Sequence, residues 1–267
     1  MIKLIISDID GTLVPDGTDK INHEIFSVIQ TLYKRGIRFA AASGRQFISI
    51  KKLFEPIADI IFYIPDGGSV VRTLDETIFE ETIPQDIAKE VARDILSIPG
   101  CDMMICGMKG TYVMDKNSKM AKWLIDSYHF DVEEIKNLDD EINDEILKVS
   151  LYHVDDAEGK ASDFFMDKWK DTLQLSCAGV MWIDCSHKNA NKGIALQHLQ
   201  KYLKITKEET MAFGDNINDL EMIENSGISY AIGNARDEIK AAADYIADTN
   251  VNDGVLKELK RLLAKNE

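Results

Sequence analysis

The stretch that is most informative about the fold is Lys3-Leu4-Ile5-Ile6-Ser7-Asp8-Ile9-Asp10-Gly11-Thr12. Its apolar first half predicts a short buried strand, and its acidic, glycine-containing end predicts a turn directly after that strand. Residues two apart in an extended chain face the same way, so Asp8 and Asp10 could meet one cation. Neighbouring carboxylates repel unless a proton or a metal lies between them, and Mg2+ favours such oxygen ligands. The alternative is a solvated acidic turn.

Beyond this segment, predicted strands and helices alternate. Strands are predicted at 38–42 and 60–64, each separated from the previous strand by a helical stretch, and the same rhythm returns late in the chain with a strand at 210–213. Alternation of this kind is typical of a parallel sheet covered by helices. The sequence therefore predicts an α/β, Rossmann-like core built from both ends of the chain, residues 1–82 and 188–267.

Residues 83–187 have a different pattern. They read as helix, hairpin, helix, strand, helix and hairpin, with an acidic loop at Asp139-Asp140-Glu141 and a last hairpin that turns at Ala178-Gly179. Strands grouped into hairpins favour a mixed α+β unit over a continuation of the parallel sheet. We therefore predict that this segment is an inserted α+β domain.

Composition limits the classes of function. The chain has 267 residues and a formal net charge of -15, which disfavours nucleic acid and anionic lipid as partners, although local donors and a metal can still attract a small phosphorylated substrate. The 4 cysteines show no CxxC pair and no zinc spacing, which favours reduced thiols. No apolar stretch reaches the ~20 residues that cross a bilayer, and the N-terminal apolar run is too short for a signal peptide. We expect a cytoplasmic protein without a membrane partner.

Two polar groups lie where a phosphate could bind. Ser43-Gly44-Arg45 follows a predicted strand and offers a hydroxyl and backbone N–H groups to a phosphate oxygen; the alternative is a helix N-cap by Ser43. Asn191-Lys192-Gly193 begins a predicted helix, where the lysine ammonium and the helix N-terminus both attract an anion. The alternative for Lys192 is an ordinary surface position.

A last group, Gly214-Asp215-Asn216-Ile217-Asn218-Asp219, follows the strand at 210–213. Asp215 and Asp219 supply metal-ligand oxygens and Asn218 can donate to a phosphate; the alternative is an Asx-rich helix cap. In open α/β sheets, ligands bind at the carboxyl ends of the strands. The shared location of all four groups is therefore more informative than any one of them.

Together the four motifs resemble the signature of the haloacid dehalogenase superfamily, in its Cof-type, sugar-phosphatase-like branch. The motifs are Asp-Ile-Asp-Gly-Thr at 8–12, Ala-Ser-Gly-Arg at 42–45, Asn-Lys-Gly at 191–193 and Gly-Asp-Asn-Ile-Asn-Asp at 214–219. Their order and spacing match, and the segment 83–187 resembles the α+β cap of that branch. The resemblance covers essentially the whole chain.

The resemblance implies a Mg2+-dependent phosphatase that acts on small phosphorylated metabolites, such as sugar phosphates, through an aspartyl-phosphate. It makes Asp8 the nucleophile and Asp10 the acid and base. It places Mg2+ on the Asp8 carboxylate, the Asp10 carbonyl oxygen and Asp215, with Asp219 in support. The phosphoryl oxygens would then be held by Ser43, the Gly44 amide, Lys192 and Asn218.

The chain departs from this branch at Asp66-Gly67-Gly68, where Asn-Gly-Ala is usual. Asp66 is favoured as a turn residue, but it is also a candidate substrate contact, together with Arg45 and, in the cap, Lys109. The resemblance implies that the cap controls which leaving group is accepted.

Two other functions remain open. One is a phosphotransferase or phosphomutase on the same fold, in which the aspartyl-phosphate passes to a sugar hydroxyl. The other is a non-catalytic, phosphate-binding regulatory protein.

Overall fold

The computed structural model describes residues 1–140, 142–161, 163–177 and 180–265. It divides into a core unit, Met1–Phe79 with Lys192–Glu267, and an inserted unit, Glu80–Asn191. The inserted unit thus takes in a few more residues on each side than the 83–187 segment expected from the sequence. The expected hairpin turn at Ala178-Gly179 and residue Glu141 lie outside the described residues.

The helices and strands follow in chain order. The first segment contains β1 (Leu4–Asp8), α1 (Glu24–Lys34), β2 (Arg38–Ala42), α2 (Phe47–Leu53), β3 (Ile61–Ile64), β4 (Val70–Arg72) and β5 (Thr77–Glu80). The insertion contains α3 (Gln85–Ser97), β6 (Asp102–Gly107), β7 (Thr111–Val113), α4 (Lys119–Tyr128), β8 (Val132–Glu134), β9 (Ile146–Tyr152), α5 (Ala157–Lys160), α6 (Asp163–Trp169), β10 (Leu173–Cys177) and β11 (Trp182–His187). The last segment contains α7 (Lys192–Leu203), β12 (Thr210–Gly214), α8 (Leu220–Glu224), β13 (Ile228–Ala231), α9 (Asp237–Ala242), β14 (Tyr245–Ile246) and α10 (Gly254–Lys265).

The core unit is built on a sheet with the strand order β14-β13-β12-β1-β2-β3-β4-β5. The six strands from β14 to β3 are parallel, and β1 lies between β12 and β2. Its register pairs Asp8 with Ala42 on one side and Ser7 with Phe213 on the other. The three strands therefore end together, which brings the loops that follow them to one edge.

The two faces of the core sheet are covered by different helices. In β1, Ile5 packs on the side of α1 and α10, whereas Leu4 and Ile6 pack on the side of α7 and α8. Strands buried on both faces read as continuous apolar runs, which is why Leu4-Ile5-Ile6 shows no alternation. This three-layer arrangement confirms the predicted α/β, Rossmann-like core.

Two short strands at the edge of the core sheet were not predicted. β4 pairs with β3 in the antiparallel direction, and β5 follows it in the sheet. Runs of three or four residues give too little periodicity to identify a strand. They extend the sheet beyond the parallel part without changing the edge where the motifs lie.

The inserted unit has its own sheet, in the order β10-β11-β9-β6-β7-β8. All neighbouring pairs are antiparallel except β7 and β8. Helices α3, α5 and α6 pack on one face through a cluster around Val149 and Leu151, and α4 packs on the other face around Met104 and Cys106. This is the α+β composition expected for the insertion, with β8 as the strand that the sequence did not reveal.

Within the part of the chain that the structure describes, no helix is both long enough and apolar enough to cross a bilayer.

Candidate active site

The carboxyl ends of β1, β2 and β12 position the first set of polar side chains. Asp8 is the last residue of β1, Ser43 directly follows β2, and Asp215 directly follows β12. Lys192 is the first residue of α7. Because neighbouring parallel strands end at one edge, residues about two hundred positions apart in sequence come into contact.

Lys192 links two of the carboxylates. Its side chain is fully buried, and Nζ donates to Oδ1 of Asp8 and to Oδ1 of Asp219, each at 2.5 Å. Burial alone would lower the pKa of Lys192, but the charges of Asp219 and Asp8 raise it above its usual value. The lysine therefore stays protonated, and it is not the surface residue that a lone lysine at a helix start would suggest.

Asp8 is held through only one of its carboxylate oxygens. Oδ1 accepts from Lys192, whereas Oδ2 is buried and has no hydrogen-bond partner among the described residues. Burial raises the pKa of Asp8 well above its usual value, against the attraction of Lys192, and the charges of Asp219 and Asp215 add to the increase. A buried oxygen without a donor is costly unless a ligand engages it.

Asp215 lies against the turn that follows β1. Its Oδ1 accepts a hydrogen bond of 2.7 Å from the Thr12 hydroxyl, and its carboxylate fills the space beside Gly11. Gly11 has a φ of +83°, and a Cβ there would collide with the Asp215 carboxylate. Burial and the neighbouring charge of Asp219 raise the pKa of Asp215 to about 7. The glycine of the first motif thus makes room for a carboxylate of the fourth.

Asp219 is completely buried and its oxygens are engaged by the protein itself. Oδ1 accepts from Lys192, and Oδ2 accepts from the backbone N–H groups of Asp215 at 2.9 Å and Asn216 at 3.1 Å. These contacts fix the loop that carries Asp215. Asp219 is therefore suited to orienting its neighbours.

Asp10 forms a separate group with residues of the second motif. Its Oδ2 accepts from the Ser43 hydroxyl at 3.2 Å and from Arg45 Nε at 2.9 Å, and its Oδ1 accepts from Arg45 Nη2 at 2.6 Å. The Asp10 side chain keeps 23% of its surface exposed, while that of Arg45 keeps 4%. Asp10 is thus accessible from outside, with Arg45 behind it.

The remaining predicted residues lie as follows. Gly44 is half-buried between Ser43 and Arg45, and Asn218 is half-buried in the turn Ile217–Asp219, with its Oδ1 buried and no hydrogen-bond partner found for it in the described ranges. Asp66 is buried in the turn Asp66–Gly68 with a φ of +50°, and its N–H donates to the Arg45 carbonyl oxygen at 2.9 Å.

Lys109, the candidate contact in the insertion, lies in the loop between β6 and β7. Its Nζ donates to the Asn143 carbonyl oxygen at 2.5 Å, and its N–H donates to Asp144 at 2.9 Å. These bonds tie the Lys109 loop to the segment that precedes β9.

Two contacts were not anticipated from the sequence. Thr12 belongs to the first motif but was given no role, and its hydroxyl holds Asp215. Asn234 follows β13 and donates through Nδ2 to the Gly11 carbonyl oxygen at 2.8 Å. The available signal for Asn234 was its place in Gly233-Asn234, just beyond a strand that ends at the same edge of the sheet.

The donor set fits a divalent metal ion. Asp8, Asp215 and Asp219 each offer a carboxylate oxygen, and these atoms all lie within 4.8 Å of one another. Lys192 gives these three carboxylates one positive charge, and the pKa of Asp215 is still raised, which fits a cluster that can take up a further cation. Carboxylate oxygens are the ligands that Mg2+ prefers in proteins.

A parallel α/β sheet with a carboxylate cluster and a buried lysine at its carboxyl edge is typical of an enzyme site. The chain belongs to the haloacid dehalogenase-like hydrolase family, whose model matches residues 5–259. The resemblance inferred from the four motifs is thereby confirmed.

Proteins of similar sequence and structure indicate which kind of hydrolase this is. The 5-amino-6-(5-phospho-D-ribitylamino)uracil phosphatase YbjI of Escherichia coli is 29% identical, over 98% of this chain and 96% of the relative. A protein from Eubacterium rectale with a known crystal structure is 39% identical in sequence, and the two structures match with a TM-score of 0.87 over 98% of this chain and 99% of that one. The subclass IIB sugar phosphatase BT4131 is 25% identical, with a TM-score of 0.84 over 97% of this chain and 98% of that one. The protein is an enzyme of the phosphatase class.

Proposed function

We propose that the protein is a Mg2+-dependent phosphatase that hydrolyses small phosphorylated metabolites through a phosphoryl group carried on Asp8. The observation that supports this proposal most is that the two carboxylate oxygens of Asp8 have different environments. Lys192 fixes one carboxylate oxygen, while the second is buried without a hydrogen-bond partner in the described structure. A nucleophile needs such an oriented oxygen that no protein donor occupies.

The metal would be held by the Asp8 carboxylate, the Asp10 carbonyl oxygen and Asp215, with Asp219 fixing the Asp215 loop. When bound, Mg2+ supplies positive charge that screens the nucleophile from the phosphoryl oxygens. Lys192 reaches the same Asp8 carboxylate from the protein interior. We assign the Gly44 amide and Asn218 to the phosphoryl oxygens as donors, and Ser43 as a third donor whose hydroxyl turns from Asp10 to the substrate.

The reaction proceeds in two steps. Oδ2 of Asp8 forms a bond to phosphorus as the bond to the leaving oxygen breaks, and Asp10 gives that oxygen a proton. Asp10 then takes a proton from water, whose oxygen attacks phosphorus and releases inorganic phosphate from Asp8. The partial exposure of Asp10 supports this role, because the acid must reach a group that arrives from outside.

For the substrate, we propose a phosphate ester of a sugar or sugar alcohol. The support is the YbjI relative, named for a phosphorylated ribityl compound, and the likeness to a subclass IIB sugar phosphatase. We assign the choice among such esters to the inserted unit.

The test is phosphate release from a panel of sugar and sugar-alcohol phosphates, including 5-amino-6-(5-phospho-D-ribitylamino)uracil, with Mg2+ and without an added acceptor alcohol. Asp8→Asn should lower turnover at least ~10⁴-fold with an unchanged circular dichroism spectrum, and EDTA should silence the wild type. Near-normal turnover in Asp8→Asn would refute the nucleophile assignment. Release that requires an acceptor would identify a phosphotransferase instead.

A further inference from the structure

Arg45 is an almost completely buried cation whose contacts face into the protein. Its side chain is 4% exposed, and two of its nitrogens engage both oxygens of Asp10, Nε at 2.9 Å and Nη2 at 2.6 Å. Nη2 also donates to the Thr18 carbonyl oxygen at 2.6 Å. The guanidinium therefore connects the acidic side chain of the first motif to the loop that follows it.

The backbone of Arg45 is fixed as well. Its N–H donates to the Ser43 hydroxyl at 3.0 Å, and its carbonyl oxygen accepts from the Asp66 N–H at 2.9 Å. An arginine held at both the backbone and the guanidinium can impose a geometry on its partner. A planar, two-point contact fixes both the position and the rotation of a carboxylate, which a lysine ammonium cannot do.

A direct role for Arg45 in binding phosphate fits these contacts poorly. Two of its donor nitrogens are committed to Asp10 and Thr18, and the side chain has almost no exposed surface. Asp10, by contrast, keeps 23% of its side chain exposed. The accessible member of the pair is the carboxylate, and the arginine lies behind it.

We propose that Arg45 is a positioning residue that acts through Asp10, holding that carboxylate in the orientation from which it exchanges a proton with the leaving oxygen and later with water. The inference rests on the acid and base role proposed for Asp10. Misplacing a reacting group by about 1 Å can cost ~10²-fold in rate, so loss of the two-point contact should be visible in turnover.

The test compares two leaving groups in Arg45→Lys, which keeps the charge but not the planar contact. An alkyl phosphate needs its leaving oxygen protonated, whereas p-nitrophenolate departs without a proton. We expect kcat/KM for the alkyl ester to fall about 10- to 100-fold and kcat/KM for p-nitrophenyl phosphate to change less than about threefold. Because water attack still needs Asp10, rapid mixing with p-nitrophenyl phosphate should show a burst of nitrophenol followed by slow turnover.

The double variant Asp10→Asn/Arg45→Lys separates this role from substrate binding. If Arg45 acts through Asp10, the lysine change should alter kcat/KM less than about threefold once Asp10 is replaced. An equal loss for both leaving groups, persisting in the Asp10→Asn background, would overturn the inference and make Arg45 a substrate contact. A lysine variant with unchanged kinetics for both esters would also overturn it.

Two measurements keep the result interpretable. Arg45→Gln removes both the charge and the two-point contact, so its kcat/KM for the alkyl ester should fall at least as much as that of Arg45→Lys. Cooperative unfolding shows that a variant is folded, and the kinetics of a folded variant test the role of Arg45. Asp10→Asn alone must lower kcat/KM for the alkyl ester. If it does not, the role proposed for Asp10 fails; if it does while the Arg45 variants behave like wild type, only the inference about Arg45 fails.

Discussion

Lys192 is a buried ammonium group shared by Asp8 and Asp219. Burying charges is costly, and the structure compensates by giving the lysine two carboxylates, each at 2.5 Å from Nζ. Removing the ammonium would leave two buried carboxylates facing each other. The lysine thus stabilises the structure around the site and orients Asp8.

We expect Lys192→Met to lower turnover at least ~10²-fold and to lower the free energy of unfolding at pH 8, without metal, by about 3 kcal/mol. The loss should shrink toward pH 6, where one carboxylate can take up a proton. Chemical denaturation and steady-state kinetics measure both quantities. Lys201→Met is the matched control, since Lys201 lies exposed on the same helix and should change stability by less than about 0.5 kcal/mol.

The pKa of Asp215, raised to about 7, gives the site a pH dependence of known sign. The raised pKa means that this carboxyl favours the folded state most at low pH and loses that contribution as pH rises through 7. Metal binding needs the deprotonated carboxylate. Metal-free protein should therefore lose stability as pH rises from the usual carboxyl pKa of 3.8 to about 7 and change little above that, while the stabilisation by Mg2+ should grow up to about pH 7.

Titration calorimetry between pH 5.5 and pH 8.5 measures this linkage. The apparent affinity for Mg2+ should rise roughly tenfold per pH unit below pH 7 and level off above it. Asp215→Asn should remove most of the affinity and its pH dependence. An affinity that stays constant from pH 6 to pH 8 would show that Asp215 is not the group whose proton the metal displaces.

In the turn after β1, the backbone conformation of Gly11 and the position of the Asp215 carboxylate, a proposed metal ligand, depend on each other. Gly11 and Gly36 have nearly the same φ, +83° and +82°, but only Gly11 has a neighbouring group where a Cβ would lie. Comparing the two separates backbone strain from displacement of the Asp215 carboxylate.

Gly36→Ala should cost about 1–2 kcal/mol of stability and leave kcat/KM unchanged. Gly11→Ala carries the same strain and also pushes the Asp215 carboxylate out of place. Its affinity for Mg2+ and its kcat/KM should fall about 10- to 100-fold. Equal kinetics in the two variants would mean that the contact between Gly11 and Asp215 has no functional weight.

The same elements show what sequence reasoning could and could not provide. The parallel α/β core and the shared edge of its motifs followed from alternating strands and helices, since parallel strands end together. Strands β4 and β8 were not predicted, because a run of three residues is too short to show the alternation of a strand. The hydrogen bond from Thr12 to Asp215 and the two-point contact of Arg45 on Asp10 escaped because no local pattern specifies a side chain's distant partner.

The core unit and the inserted unit have separate sheets and separate hydrophobic clusters. The chain has 3 tryptophans, and Trp123, Trp169 and Trp182 all belong to the inserted unit. The carboxylate cluster belongs to the core unit. Tryptophan fluorescence therefore reports on the insertion, while metal binding acts on the core.

Heating with and without Mg2+ should produce two separable transitions. We expect Mg2+ to raise the midpoint of the transition seen by calorimetry for the core unit by several degrees and to move the fluorescence-detected midpoint by less than about 1 °C. Asp215→Asn should abolish the first shift. Equal shifts in both signals would show that the units unfold as one cooperative block.

The position of β1 between β2 and β12 has a consequence for biosynthesis. Thr12 and Asp215, which it brings together, are 203 positions apart. On the ribosome, the first strand emerges long before its second neighbour, and the whole insertion is translated in between. A nascent chain therefore carries Asp8 without Lys192, Asp215 or Asp219. Phosphatase activity should therefore appear only after translation has passed Asp219 and β12 can pair with β1.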